Sequence, residues 1–435
     1  MPLVVLITLL ALVTIAIGSV SPRLWAQPDP ALLNQRLEAL ESRLRLLEDE
    51  NAARNDAPSA NPLFESARRG LSAGRTPGPT YLGTSSTKAY SAAAGTWTLG
   101  LSTEFFTFTE NHGAENRSNV LSLAPAIGYR LHPRIVFISQ ILFENGGAES
   151  SNTVTLQKGQ AVVLMAYADW LTDAQAHTGV RLGHQLVPLG FVNTQFEPMA
   201  YFSVQRPELE RELIPSLWHE NGLSFWLDRP RADLQIGIFN SLDAHGFRKD
   251  SFLGGGRNHG QNAASDDLMG VARLNLKGRY TVIGGSFASG SSARVASDIP
   301  HGAFKLGELH VRLSASRWRL SAMAARGELD DADVISLVNS TAMGSRAQGH
   351  SLEAAVDVLE GAPELWLFAR YARYNLHDSV AEGQTLDPSL DKTAVTVGFS
   401  YLPVPGLVIK ADGAIRKSAL SNTSEEVSIS AAAVF

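Results

Sequence analysis

From Thr96 onward the chain alternates apolar and polar residues at period two, segment after segment. That period puts successive side chains on opposite faces of an extended strand. Trp97, Leu99 and Leu101 alternate with Thr98, Gly100 and Ser102, and Leu121, Leu123, Ile127 and Tyr129 run down to a tight turn at His132-Pro133. Val162, Leu164, Ala166, Ala168 and Trp170 read as one apolar face, with Tyr167 and Asp169 opposite. Ile236 and Ile238 alternate with Gln235 and Gly237, Leu309, Val311 and Leu313 with Glu308, His310 and Arg312, and Val395, Val397 and Phe399 with Thr396, Gly398 and Ser400. In the last segment Val427, Ile429, Ala431, Ala433 and Phe435 share a face, and Glu426, Ser428 and Ser430 take the other.

About sixteen such segments are joined by alternately short and long connections, the pattern of a transmembrane barrel. Short ones centre on His132-Pro133, Arg229-Pro230, Gly278, Ser316, Gly361-Pro363 and Pro403-Pro405. Long ones fall at about 110–117, 146–157, 188–218, 241–266, 289–302, 329–347, 377–392 and 417–424. The pattern predicts an all-β fold, a transmembrane antiparallel β-barrel over 96–435. A terminal strand would be an exposed edge in an open sheet, whereas a barrel pairs it on both sides. The terminal Phe435 resembles the last residue of bacterial outer-membrane barrel proteins, where the final strand is an assembly signal for the barrel-assembly machinery.

The chain before Thr96 differs. Leu3 to Ile17 is apolar and Leu24-Trp25-Ala26 follows, which reads as a signal peptide over 1–26. An uncleaved anchor helix competes, although the run is short for a bilayer span. Leu33, Leu37, Leu40, Leu44 and Leu47 step by four and three, a heptad seam continued by Asn51. It predicts a short α-helical coiled coil over 27–54, in the periplasm and supporting oligomerisation; a single amphipathic helix packed on the domain is the other reading. Residues 55–95, rich in Pro, Ser, Gly, Ala and Thr, read as a linker or crossing segment.

Composition narrows the class. Of 435 residues, 44% are hydrophobic and 18% charged, too polar for a helical membrane protein. Beyond the N-terminus there is no long apolar run, but a barrel hides from such a scan because only alternate residues face lipid. The net charge of -6 gives no support for nucleic-acid binding. The absence of cysteine excludes disulfides, thiolate metal sites and cysteine nucleophiles.

The connection 188–218 is the longest and is not Gly/Ser filler. It carries Glu197-Pro198, Tyr201-Phe202, the ridge Arg206-Pro207-Glu208-Leu209-Glu210-Arg211-Glu212, and Ile214-Pro215. A loop with apolar anchors and a charged ridge suits folding into a lumen and narrowing it, since charged rings select solutes in pores; covering the mouth or packing on a neighbouring subunit is the alternative. Constriction candidates are therefore Glu197, Arg206, Glu208, Glu210, Arg211 and Glu212. The strand pattern turns Arg181, Asp233, Arg273, Glu308, Arg312, Arg370 and Lys410 inward as pore-lining candidates, among further inward charges such as Glu104, Asp169, Lys277, Arg319, Glu353, Asp412, Arg416 and Glu426.

The signal, heptad segment and β-rich body, with Val187-Pro188-Leu189-Gly190, Glu197-Pro198, Arg206-Pro207-Glu208, Ile214-Pro215 and Trp218-His219-Glu220-Asn221-Gly222, resemble the phosphate-selective porin family, the porin O and P type. The resemblance covers the chain in layout, with residue motifs confined to about 183–222 and the C-terminus. It implies a sixteen-stranded homotrimeric barrel with its third loop inside and a pore whose arginines and lysines conduct anions. Here the inward charges are mixed and the loop holds no lysine, so phosphate specificity does not carry over.

No catalytic pattern emerges. Histidines lack metal-ligand spacing, Gly254-Gly255-Gly256 lacks the Lys-Ser/Thr of a phosphate loop, and no G-x-S-x-G elbow occurs. Asp330, Asp331 and Asp333 read as a solvated acidic loop. The expectation is a bacterial outer-membrane porin, not an enzyme and without cofactor or metal. It would pass small hydrophilic solutes or ions, anions such as phosphate included, by diffusion through a water-filled channel. Its partners would be outer-membrane lipid and lipopolysaccharide. The alternative is a non-conducting barrel serving as a surface adhesin or structural tether.

Overall fold

A computed structural model describes residues 84–435 apart from the short segments 111–114, 146–158, 174–175, 261–262, 264–265, 293–298, 300–301, 316, 360–362 and 421. The predicted signal peptide, the heptad segment and most of the linker lie outside the described residues.

Sixteen strands form one closed antiparallel barrel in sequence order: β1 Thr96–Glu110, β2 Glu115–His132, β3 Ile135–Glu144, β4 Gln160–Leu171, β5 Thr178–Leu186, β6 His219–Arg229, β7 Ala232–Asn240, β8 Leu268–Lys277, β9 Thr281–Gly290, β10 Phe304–Ser314, β11 Trp318–Leu329, β12 Gly344–Asp357, β13 Glu364–Val380, β14 Asp391–Val404, β15 Leu407–Ser418 and β16 Thr423–Val434. Each strand pairs with its sequence neighbours, and β1 closes on β16 from Ser102↔Val434 to Glu110↔Glu426. Leu101 and Phe435 exchange both backbone bonds at 2.7 and 2.9 Å, so the terminal residue completes the ladder. Closure leaves no exposed edge. Short turns gather at one end and long loops at the other, and an even strand count puts the start of β1 and the end of β16 at the short-turn end.

The period-two reading describes the two faces. Leu99, Leu182, Ile238, Leu309, Val397 and Val427 point outward and are exposed, while Glu104, Asp169, Gln235, Glu308, Ser400 and Ser430 point inward and are buried. Trp97, Trp170 and Trp318 stand on the outer face near the short turns, as an aromatic girdle does in such barrels. One face differs from expectation. The β3–β4 register shifts between Gln140 and Ile141, and Leu164 is the extra residue of a bulge. Across it the phase flips: Leu164 is buried and Val163 is outward at 47% exposure, whereas Ala166 and Trp170 keep the outer face.

The interior is not an empty tube. Helix α1 (Thr84–Ser91), in the end of the segment read as linker, lies against the inner wall of β1–β3 with Ser85, Ser86, Ala89 and Tyr90 buried. Eight residues are too few for a stable helix alone, so its packing holds it. Two inward glycines make room: a Cβ on Gly100 would sit 2.3 Å from the Ser85 carbonyl oxygen, and one on Gly128 2.5 Å from the Ala89 Cβ. Elsewhere the loops after β5, β7, β9 and β11 pack into an apolar cluster that includes Leu189, Trp218, Phe247, Phe252, Phe304 and Ile335, the last in helix α3 of the β11–β12 loop (Ala332–Val338).

Candidate functional site

The connection 187–218 crosses the barrel interior. Its first anchor is apolar, with Val187, Leu189, Phe191, Leu213, Ile214 and Trp218 in the loop cluster against Phe239, Met269 and Leu306 of the wall. Gly190 has φ +83 and donates its N–H to Ser286 Oγ of β9 at 2.9 Å. Asn193 ties the two ends of the loop together, donating to the Val187 carbonyl (3.1 Å) and accepting from the Trp218 N–H (3.0 Å).

The middle of the loop touches the N-terminal helix. Glu197 accepts from the Ser85 N–H at 2.8 Å and from Ser85 Oγ at 2.6 Å. From there the chain reaches the opposite wall. Phe202 packs on Trp366 and Phe368, ring centres 5.4 and 5.9 Å away, in a cluster with Leu402 and Val408. The Ser203 carbonyl accepts from Lys410 Nζ (3.0 Å), Ser203 Oγ accepts from Arg370 (2.8 Å), and the Val204 N–H donates to Asp412.

The ridge forms the five-residue helix α2 (Glu208–Glu212). Its charges are paired along a line. Arg416 of β15 donates to Glu208 (2.7 Å), Arg211 bonds Glu208 (2.6 Å) and Glu212 (2.9 Å), and Arg206 donates to Ser216 Oγ (3.0 Å) and the Phe196 carbonyl (3.2 Å). Burial would raise the Glu208 carboxyl, but Arg211 and Arg416 hold it below the usual carboxylate range. Glu210 points the other way. It accepts from the Val192 N–H at 2.6 Å, and burial pushes its carboxyl up to about 7. The sequence groups these residues as one ridge, but the helix splits them between a paired line and a buried brace.

The inward candidates have specific partners. Arg181 is 1% exposed and is held by Asp169 (2.8 and 2.9 Å) and the Tyr90 hydroxyl of α1 (3.2 Å). Asp233 meets Lys277 (3.0 Å) and Asn275 (3.0 Å), Arg273 donates to Thr194 of the loop (3.0 Å), and Glu308 accepts from Ser286 (2.6 Å) and pairs with His310 (2.8 Å). Arg370 is bound to Glu353, and Lys410 lies 4.2 Å from the Tyr201 ring centre and 3.8 Å from Glu104. Arg312 sits 3.9 Å over Phe191. Most of these residues therefore hold inserted segments in place.

Open space remains at the loop end. A cavity of about 580 Å³ lies beside α2, lined by Glu110, Arg211, Lys392, Arg416, Ser424 and Glu426 among others. Lys392 and Glu110 belong to a site that sequence reasoning missed, because their membership depends on where α2 comes to rest.

A second missed feature clamps the β7–β8 loop to the barrel rim. His184, His219 and His259 form a chain, 2.6 Å between the first two and 2.9 Å between the last two. Beside it Glu220 accepts the N–H groups of Asn258, His259 and Gly260 at 2.9, 3.3 and 3.1 Å. Gly260 has φ +67, and a Cβ there would lie 2.5 Å from His184 Nδ1. Burial, helped by the Arg257 charge, lowers the His259 imidazole to about 4. The histidines are 35 and 40 residues apart in sequence, so no local motif announces them.

No protein-family model matches the sequence. An uncharacterized protein of Aquifex aeolicus (strain VF5) is 28% identical over 321 residues, which are 69% of this chain and 72% of that protein. Among solved structures, in-vitro folded OmpT, an outer membrane protein of Vibrio cholerae, has a TM-score of 0.53 at 9% identity, covering 80% of this chain and 100% of that one. The outer membrane channel DcaP of Acinetobacter baumannii follows with 0.51 at 11%, covering 79% and 100%. An anion-selective porin from Comamonas acidovorans has 0.50 at 13%, covering 78% and 99%. At such identities the likeness shows the fold: this chain is built as the closed sixteen-stranded barrel shared by outer-membrane porins and channels.

Proposed function

We propose that the chain is a porin-like outer-membrane channel, in which small hydrophilic solutes or ions diffuse through the space that the 187–218 loop leaves beside the β14–β1 wall. The observation that carries this reading is the loop itself, pinned across the interior at Phe202, Ser203 and Val204 and presenting its ion-paired ridge to a charged cavity. Charged groups at a constriction set which ions are concentrated there. With Arg211, Lys392 and Arg416 facing Glu110, Glu208, Glu212 and Glu426, the balance predicts weak selectivity, not a strong preference for phosphate.

The same reading covers the surroundings. The outward apolar belt would face lipid, and the outer band Lys305, Arg326, Arg346 and Arg373, mixed with Glu328, Asp378 and Asp391, would meet lipopolysaccharide headgroups above it. The heptad segment would support a homotrimer from the periplasm, and β16 with Phe435 would present the assembly signal. The second reading, a non-conducting tether, draws support from how much of the interior is filled by α1 and the loops. Single-channel recording of the folded protein in a planar bilayer separates them. Stepwise openings with a reversal potential near zero in a salt gradient are expected, and a silent bilayer from heat-modifiable protein favours the tether.

A further inference from the structure

Arg312 of β10 and Arg319 of β11 face the interior one row apart, since Arg312 pairs with Ser321 and Ser314 with Arg319. Diagonal neighbours on one face lie about 7–8 Å apart, well within the reach of two arginine side chains. Both are half-buried. Arg312 shares its row with Ser321, Glu353 and Arg370, and Arg370 holds Ser203 of the internal loop. Arg319 lies two residues nearer the short turns. The pair therefore starts in the row where the loop meets the wall and extends from it toward the short turns.

Each guanidinium lies against aromatic rings, and neither has a hydrogen-bond or ion-pair partner among the described residues. Arg312 is 3.9 Å from the centre of Phe191, and its buried Nε is unmatched. Arg319 is 4.9 Å from Phe202 and 5.2 Å from Trp366. The carboxylates facing this region accept their hydrogen bonds from other groups, although Glu353 acts electrostatically on both guanidiniums, Glu210 on Arg312 and Glu364 on Arg319. Glu353 accepts from Arg370 (2.8 Å) and Ser321 (3.3 Å), Glu364 from the Trp366 indole (2.7 Å), Glu308 from Ser286 (2.6 Å) and Glu210 from Val192 (2.6 Å). A guanidinium carries five donors; of the pair's nitrogens Arg312 Nε is the one buried without a partner, and leaving it so costs free energy, while the others reach solvent. Two adjacent forks without acceptors are a place for an acceptor from outside.

We propose that Arg312 and Arg319 form a binding site for an organic carboxylate with an apolar body, reached from the short-turn end of the channel proposed above, on which this inference rests. A carboxylate fits a guanidinium fork with two parallel bonds. Phe202 and Trp366 are packed on each other and only 5% and 7% exposed, so their remaining edges give the rest of such a molecule a small apolar border. Inorganic phosphate would lose hydration to that surface without gaining from it.

The test uses the full chain folded in detergent, with benzoate as the probe, read by isothermal titration calorimetry and by current block in a planar bilayer. Benzoate should bind, and the double variant Arg312→Gln/Arg319→Gln should bind about tenfold more weakly or worse. Arg319→Lys, which keeps the charge but not the fork, should fall between, and it guards against misfolding of the double variant. Inorganic phosphate at matched ionic strength should bind at least about tenfold more weakly than benzoate. Equal benzoate affinity in wild type and both variants would overturn the site, and phosphate binding as tight as benzoate would overturn its apolar character. Protein that conducts but shows no benzoate binding removes the site and keeps the channel. Binding without conductance keeps the site and removes the channel.

Discussion

Glu210 shows how one residue of a charged run escapes a reading by pattern. Alternating charges normally mark a solvated face, yet Glu208 and Glu210 are both buried, one within a line of arginines and one under a backbone N–H. The Glu210 carboxyl is raised from 4.5 to about 7 by burial, so the folded loop holds a proton that the released loop gives up. Its stabilising share is full below about 4.5 and is lost as pH rises through 7. Glu210→Gln should therefore be more stable than wild type at pH 8, by up to ~3 kcal/mol, and the two should converge near pH 5. Trypsin cleavage after Arg211 reads this directly, since Pro207 blocks the bond after Arg206: normalised at each pH to cleavage of an unstructured peptide, it should quicken from pH 6 to pH 8 in wild type and stay flat in the variant. His259 carries the opposite sign. Lowered from 6.5 to about 4, it favours the clamped β7–β8 loop above pH 6.5, and that share is lost as pH falls through 4. The protection factors at Asn258 to Gly260, taken relative to the intrinsic exchange rate at each pH, should fall on acidification, and constant protection factors down to pH 4 would refute it.

The strands were legible because their chemistry is local and periodic, whereas the inserted elements were not. Apolar-out, polar-in alternation follows from residues two apart, which a single chain displays. The Leu164 bulge breaks that rule through a register shift with Gln140 and Ile141, which lie more than twenty residues upstream and give no local sign. Helix α1 was hidden for a different reason. Thr84–Ser91 is polar and short, with weak amphipathic character, and becomes a helix against a wall whose glycines, Gly100 and Gly128, look like ordinary strand positions. Gly100→Val would drive a branched side chain into the Ser85 backbone and expel α1, along with the Tyr90–Arg181 and Ser85–Glu197 contacts. The sixteen-strand ladder does not depend on that helix. The variant should keep its heat-modifiable shift on gels and show larger single-channel conductance, and an unchanged conductance would mean that α1 does not border the path.

A sixteen-stranded barrel encloses an aqueous channel when nothing fills it, so here the inserts set the open area and the strands supply only the frame. Among the described residues three inserts share the interior: α1 against β1–β3, the loop cluster after β5, β7, β9 and β11, and the crossing segment of the internal loop against β13–β16. The crossing segment is the one that can be removed without dismantling the rest. The rest of the loop keeps its own anchors, at Asn193 with Trp218 and at Gly190 with Ser286, while the Glu197 bonds to Ser85 of α1 go with the segment; the bond from Arg206 to the Phe196 carbonyl shows that the two ends are close. Deleting residues 197–205 and joining the ends with two glycines would release Arg370, Lys410 and Asp412 from the loop and expose them to water. If the path runs between loop and wall, conductance should rise at least about twofold, and ion preference should shift with the newly exposed charges. If conductance stays at the wild-type value while the barrel remains heat-modifiable, the interior is closed by α1 and the loop cluster instead. Such a result would turn the protein from a channel with an internal restriction into a plugged barrel whose outer loops carry its function.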